Sequence, residues 1–228
     1  MQPNTLQLYL TGYNWDMLTK KNGIDTLLIA VDEALRTLSS TPHAHRDSPA
    51  KNVVTSQLST EERENSIRLM RVNHSGEISA QALYRGQAIF ARSSATHKHL
   101  LQAASEEEDH LAWCSERLTQ LGGRPSLLDP LWYSGSFLTG LMAGAAGGKI
   151  SLGFVAETER QVEAHIEDHL SRLSKKDTKS VSILKKMAQD EAHHGTTATL
   201  AGGVSLPPLI KSTMAIGGGL LRRLSLLV

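Results

Sequence analysis

Cysteine is almost missing from this 228-residue chain. Cys114 stands alone, which excludes an internal disulfide framework and a cysteine-ligated zinc site. An excess of one charge is missing too: 24 Lys+Arg face 23 Asp+Glu, so the unbalanced positive charge that drives general nucleic-acid binding is absent. The first residues hold no basic segment followed by an apolar core and a small-residue cleavage site, which leaves the cytoplasm as the expected compartment. Long apolar runs are scarce. The uncharged stretch Leu131 to Gly148 has 18 residues, five of them glycine. It reads as a small-residue helix packed closely on others or dipping into a membrane surface, less as a span. A composition 40% apolar and 21% charged is ordinary for a globular chain and excludes wholesale disorder. Histidine, present ten times, is the residue in excess.

Periodicity organises the rest. Met1 to about Lys20 shows no trustworthy pattern and reads as an arm. Ile24, Leu27, Val31, Leu35 and Leu38 recur at helical spacing, and Ser39 to Gln57, with Pro42 and Pro49, reads as a linker. Ser59 or Thr60 caps a long helix to about Ala91, with Glu61 and Glu62 in its first turn. A second helix spans about Thr96 to Leu121 and stops at Gly122-Gly123. A third runs through Glu157 to Leu173, and a fourth from about Ser180 to Leu200. Gly202-Gly203 and Pro207-Pro208 close it, and a short Leu/Arg tail follows. No series of short alternating strands exists. The expected class is all-α, with residues 1–57 as arm, amphipathic helix and linker, and 58–228 as a helical bundle with a C-terminal amphipathic tail.

Two stretches repeat one local pattern, Glu107-Glu108-Asp109-His110 and Glu191-Ala192-His193-His194. In each, Glu precedes His by three residues, so both side chains lie on one helix face. A lone Glu precedes each pair, Glu77 by 30 residues and Glu159 by 32. In an antiparallel hairpin two residues are level when the turn lies midway between them. The midpoint of Glu77 and His110 falls between Ser93 and Ser94, and that of Glu159 and Glu191 is Lys175. Each hairpin therefore brings its lone Glu level with its Glu/His pair, and two hairpins face to face collect four carboxylates and two imidazoles. This is the ligand set of di-iron and di-manganese carboxylate bundles. Hard carboxylate oxygens with imidazole suit iron or manganese.

Other residues read more plainly. Alone, the acidic run Glu106 to Asp109 means a solvated face. Asp109 and Asp190 adjoin the pairs and are candidate acceptors for imidazole N–H groups. His193 points about 100° from His194 on a helix; His97 and His99 read as surface residues, and Cys114 as packing.

Arg71-Val72-Asn73-His74-Ser75-Gly76-Glu77, Ala82 to Gln87, Glu107 to Leu111, Pro130-Leu131-Trp132 and Asp190 to His194 together resemble the demethoxyubiquinone hydroxylases of ubiquinone biosynthesis, from about Glu62 to the C-terminus. The resemblance implies a ferritin-like four-helix bundle with an additional N-terminal helix and membrane-associating apolar segments. It implies two irons on Glu77, Glu107, His110, Glu159, Glu191 and His194. Glu157 and Glu163 are alternatives for the third-helix ligand, and the family's Glu followed six residues later by His points to Glu159 with His165. His165 would then sit beside the metals as a non-ligand in electron or proton transfer, and Tyr84 would line the same cavity. The implied reaction puts one oxygen atom of O2 into the ring of a polyprenyl demethoxyubiquinol and the other into water. The implied setting is the cytoplasmic face of the cell membrane, held peripherally, with a homo-oligomer or a complex with other ubiquinone-biosynthesis proteins as candidate assemblies and no nucleic acid. An iron-storage or peroxide-detoxifying bundle shares the ligand arithmetic and is the alternative.

Overall fold

A computed structural model describes residues 23–54 and 56–228; the arm expected over the first 20 residues lies outside them. Among the described residues the chain forms seven helices and no strand: α1 Gly23–Ser39, α2 Thr60–Ile89, α3 Ser94–Leu121, α4 Asp129–Ala145, α5 Gly148–Arg172, α6 Thr178–Leu200 and α7 Pro208–Ser225. The chain is an all-helical bundle of the ferritin-like kind. Hairpins α2/α3 and α5/α6 are its two halves.

Local chemistry sets the helix ends. Ser59 starts α2 with a full capping box: its hydroxyl accepts from the Glu62 N–H, and the Glu62 carboxylate accepts from the Ser59 N–H. Gly122 ends α3 in the left-handed conformation, at φ 74°. Asp177 caps α6 and also takes the buried Arg117 guanidinium at 2.7 Å, while Arg117 Nε donates to Ser180 Oγ at 2.9 Å. That ion pair ties the far end of α3 to the start of α6.

The Gly-rich stretch is a separate helix, α4, laid against α2. At Gly140 an added Cβ would run into the Leu83 carbonyl oxygen, and at Gly86 into that of Phe137. Only glycine lets these two backbones approach so closely. The C-terminal tail departs from expectation. Pro208 does not merely stop the preceding helix; it occupies the first turn of α7, where its missing N–H has no intrahelical role.

The core falls into layers. Leu69, Met70, Trp113, Leu118, Ile166, Ile183, Leu184 and Met187 fill one end. Leu83, Tyr84, Leu100, Val155 and Ala198 fill the other. Glu77, Glu107, Glu159 and Glu191 each lie in sequence between the residues their helix gives to these two layers, so the acidic level is enclosed by apolar side chains above and below.

Candidate metal centre

Each of the four bundle helices contributes to one buried cluster. Glu77 comes from α2, Glu107 and His110 from α3, Glu159 from α5, and Glu191 and His194 from α6; all six are buried. They gather as two quartets, Glu77/Glu107/His110/Glu191 and Glu107/Glu159/Glu191/His194, with candidate ligand atoms within 4.8 Å of one another in each. Glu107 and Glu191 belong to both. His110 Nδ1 lies 2.9 Å from Glu107, 3.2 Å from Glu191 and 3.7 Å from Glu77. His194 Nδ1 lies 3.4 Å from Glu107, 3.5 Å from Glu191 and 3.9 Å from Glu159.

Burial pushes the Glu77 and Glu159 carboxyls well above the usual range, and the charges of Glu107 and Glu191 add to it. Glu107 and Glu191 are held below that range despite burial, by contact with His110 and His194. Burial would likewise lower the two imidazoles, yet the surrounding carboxylates raise both. Opposite charges are thus favoured on the two imidazoles and on Glu107 and Glu191 within one buried cluster. Its hydrogen bonding is incomplete: Glu107 Oε1, both Glu191 oxygens and His194 Nδ1 are buried with no hydrogen-bond partner. Hard anionic oxygens and an imidazole nitrogen left unpaired around one point belong to the donor set a pair of divalent cations needs.

The third-helix candidates Glu157, Glu159 and Glu163 stand in different places. Glu157 is buried but committed to Arg160, Gln161 and Lys211. Glu163 is only half-buried and belongs to neither quartet. Glu159 is the α5 carboxylate in the cluster. Tyr84, fully buried, donates from its hydroxyl to Glu159 Oε1. His165, expected beside the metals, faces Asn73 Oδ1 at 3.3 Å and packs edge-on against His169. Among the described residues no hydrogen bond or ion pair joins it to the six.

Three sequence readings need correction. Asp109 does not accept from an imidazole of the cluster; it takes the Arg46 side chain and the His45 and Arg46 backbone N–H groups. Glu106, read only as part of a solvated acidic run, bonds His194 Nε2. His97 and His99 are half-buried rather than surface residues. Asp190 does act as expected, accepting from His110 Nε2 at 3.1 Å. Glu106 had a readable signal: it precedes Glu107 as Asp190 precedes Glu191.

Residues 64–220 match the family model described as ubiquinone biosynthesis protein COQ7. The chain is 54% identical over 193 residues to a 3-demethoxyubiquinol 3-hydroxylase of Legionella pneumophila (strain Paris), covering 84% of this chain and 91% of the relative. It is 50% identical over 195 residues to the protein of that name from Cupriavidus metallidurans, covering 85% and 94%, and 50% over 202 residues to that from Ralstonia pickettii, covering 84% and 93%.

Proposed function

The chain belongs to the ubiquinone biosynthesis protein COQ7 family, and from that membership we propose that it is a 3-demethoxyubiquinol 3-hydroxylase, using two iron ions held by Glu77, Glu107, His110, Glu159, Glu191 and His194. The observation that carries the metal assignment is the pair of buried quartets sharing Glu107 and Glu191. Two ions held by these six residues would give partners to the unpaired atoms of Glu107, Glu191 and His194. Iron held by these residues would supply O2 activation, the chemistry by which, with two electrons and two protons from an external reductant, one oxygen atom enters the electron-rich quinol ring and the other is released as water.

The protein's part is positional. Asp190 and Glu106 accept from the Nε2 atoms of His110 and His194, which leaves the two Nδ1 atoms facing the carboxylates. Tyr84 holds Glu159. The apolar layers on either side of the acidic level keep bulk water from it. These roles suit an enzyme that must hold a reactive site dry better than an iron store.

A quinol with a polyprenyl tail reaches such a site from a membrane, and the reading extends to peripheral docking on the cytoplasmic face of the cell membrane. No helix among the described residues is long and apolar enough to cross a membrane. Support comes from apolar side chains left exposed: Leu209, Ile216, Leu220 and Leu227 around Arg222 and Arg223 in and after α7, Leu131, Leu138 and Met142 on α4, and Ile24, Leu27 and Leu28 on α1. Vesicle sedimentation of the full chain, with and without Leu209, Ile216 and Leu220 changed to Ser, tests this. Equal pelleting of both rejects α7 as the docking surface, and self-association in place of vesicle binding assigns that surface to a second copy.

Complementation of a strain that accumulates the demethoxy intermediate tests the activity. The chain restores ubiquinone, and the Glu77→Ala and His194→Ala variants do not. Rescue by either variant contradicts the assignment.

A further inference from the structure

Resting on the reading of the six side chains as a two-ion site, we propose that Arg46, in the linker ahead of the bundle, is a positioning residue for His110, so that the N-terminal segment completes one half of the metal centre and not the other. Arg46 lies outside residues 64–220, the part matched to the family model. Its guanidinium nonetheless reaches the outer edge of the cluster. Nε donates to Asp109 Oδ2 at 2.5 Å and Nη1 to Asp190 Oδ2 at 2.9 Å. The backbone N–H groups of His45 and Arg46 donate to Asp109 Oδ1 at 2.5 and 3.3 Å. The guanidinium carbon stands 4.9 Å from the centre of the Trp113 ring, a cation–π contact that fixes its plane.

Asp109 is the neighbour of His110 on α3, and Asp190 is the neighbour of Glu191 on α6. One planar fork thus joins two helices at the level of the cluster, which a lysine, with a single nitrogen, cannot reproduce. The Asp190 oxygen that Arg46 holds is the one that accepts from His110 Nε2. Its other oxygen takes Lys186 at 2.5 Å. With Arg46 on one oxygen and Lys186 on the other, the Asp190 carboxylate is fixed in place. The His110 ring is thereby held with Nε2 toward Asp190 and Nδ1 toward Glu77, Glu107 and Glu191. The other half has no such clamp. Glu106, which bonds His194, has Gln102 as its further hydrogen-bond partner at 3.0 Å, and no cationic Lys or Arg hydrogen-bonds it among the described residues.

Anaerobic titration of the full metal-free chain with Co(II), read by visible absorption and calorimetry, tests the inference on the parent protein, Arg46→Met and Arg46→Lys. The parent takes up two ions. In Arg46→Met one ion binds at least about tenfold more weakly with an altered spectrum for that step, while the other step and the melting temperature of the metal-free chain stay put; Arg46→Lys recovers only part of the loss. Two unaltered steps overturn the inference, and so do two steps weakened equally with a lowered melting temperature, which is general loosening. Should Arg46→Met be insoluble, Arg46→Gln is read in the same way. A parent chain that takes up no Co(II) removes the two-ion reading itself.

Discussion

His110 Nε2 donates to Asp190 Oδ2 at 3.1 Å, across from α3 to the opposite Glu-x-x-His turn. The reciprocal contact pairs His194 Nε2 with Glu106. Each imidazole is therefore oriented by the acid that precedes the other pair's glutamate. This crossed arrangement gives Glu106 a role despite its partial exposure. Glu106→Gln is expected to weaken binding of one metal ion by about 10- to 100-fold, and a metal titration with an unchanged affinity would remove Glu106 from the site.

Metal uptake should depend steeply on pH. Burial raises Glu77 and Glu159, and the surrounding carboxylates raise His110 and His194, so all four are biased toward their protonated forms. Ligands must shed protons to bind, so loading the ions releases protons and affinity falls as pH is lowered. Calorimetry of Co(II) binding in buffers of different ionisation enthalpy counts the protons. Release of none would contradict this charge state.

Tyr84 donates a buried hydrogen bond to Glu159, and burial raises both groups, which favours their uncharged forms. Tyr84→Phe keeps the ring's packing and strands the carboxyl. The metal-free chain should lose about 1–3 kcal/mol, measured by denaturant unfolding. A neutral effect would mean that the carboxyl finds another partner.

His165 and His169 are neutral in the folded chain. Burial lowers them to about 3 and about 4, and each imidazole lowers the other or is lowered by nearby arginine. Unfolded, both take up protons near pH 6.5, so the unfolded state binds more protons between those values and stability falls as pH drops through that window. Melting temperatures from pH 7 to pH 4 should fall less in His165→Gln/His169→Gln than in the parent. Parallel curves would discount these two residues.

Gly140→Ala should be strongly destabilising, because the added methyl meets the Leu83 backbone and α2 and α4 must move apart. Gly135→Ala is the control, with open space around its Cβ position. A thermal melt showing equal, small effects would mean that α4 is not clamped on α2.

Helices were legible in the sequence because their rise is uniform. Turn-centred spacing between Glu77 and the Glu107/His110 pair, and between Glu159 and the Glu191/His194 pair, carries directly into space, and those residues do meet. Spacing says nothing about a linker that folds back over 63 residues, so Asp109 was paired with an imidazole when Arg46 holds it. The place of His165 beside the metals came from the family resemblance and not from spacing; its contacts are Asn73 and His169. Pro208 carries the same chemistry whether it ends one helix or opens the next, and only the chain beyond it decides.

Crystals grown with Fe(II) and measured at the iron absorption edge test the six-residue centre most directly. Two anomalous peaks should lie between the quartets, one beside Glu77 and His110 and one beside Glu159 and His194, each next to Glu107 and Glu191. Peaks elsewhere, or none, would contradict it.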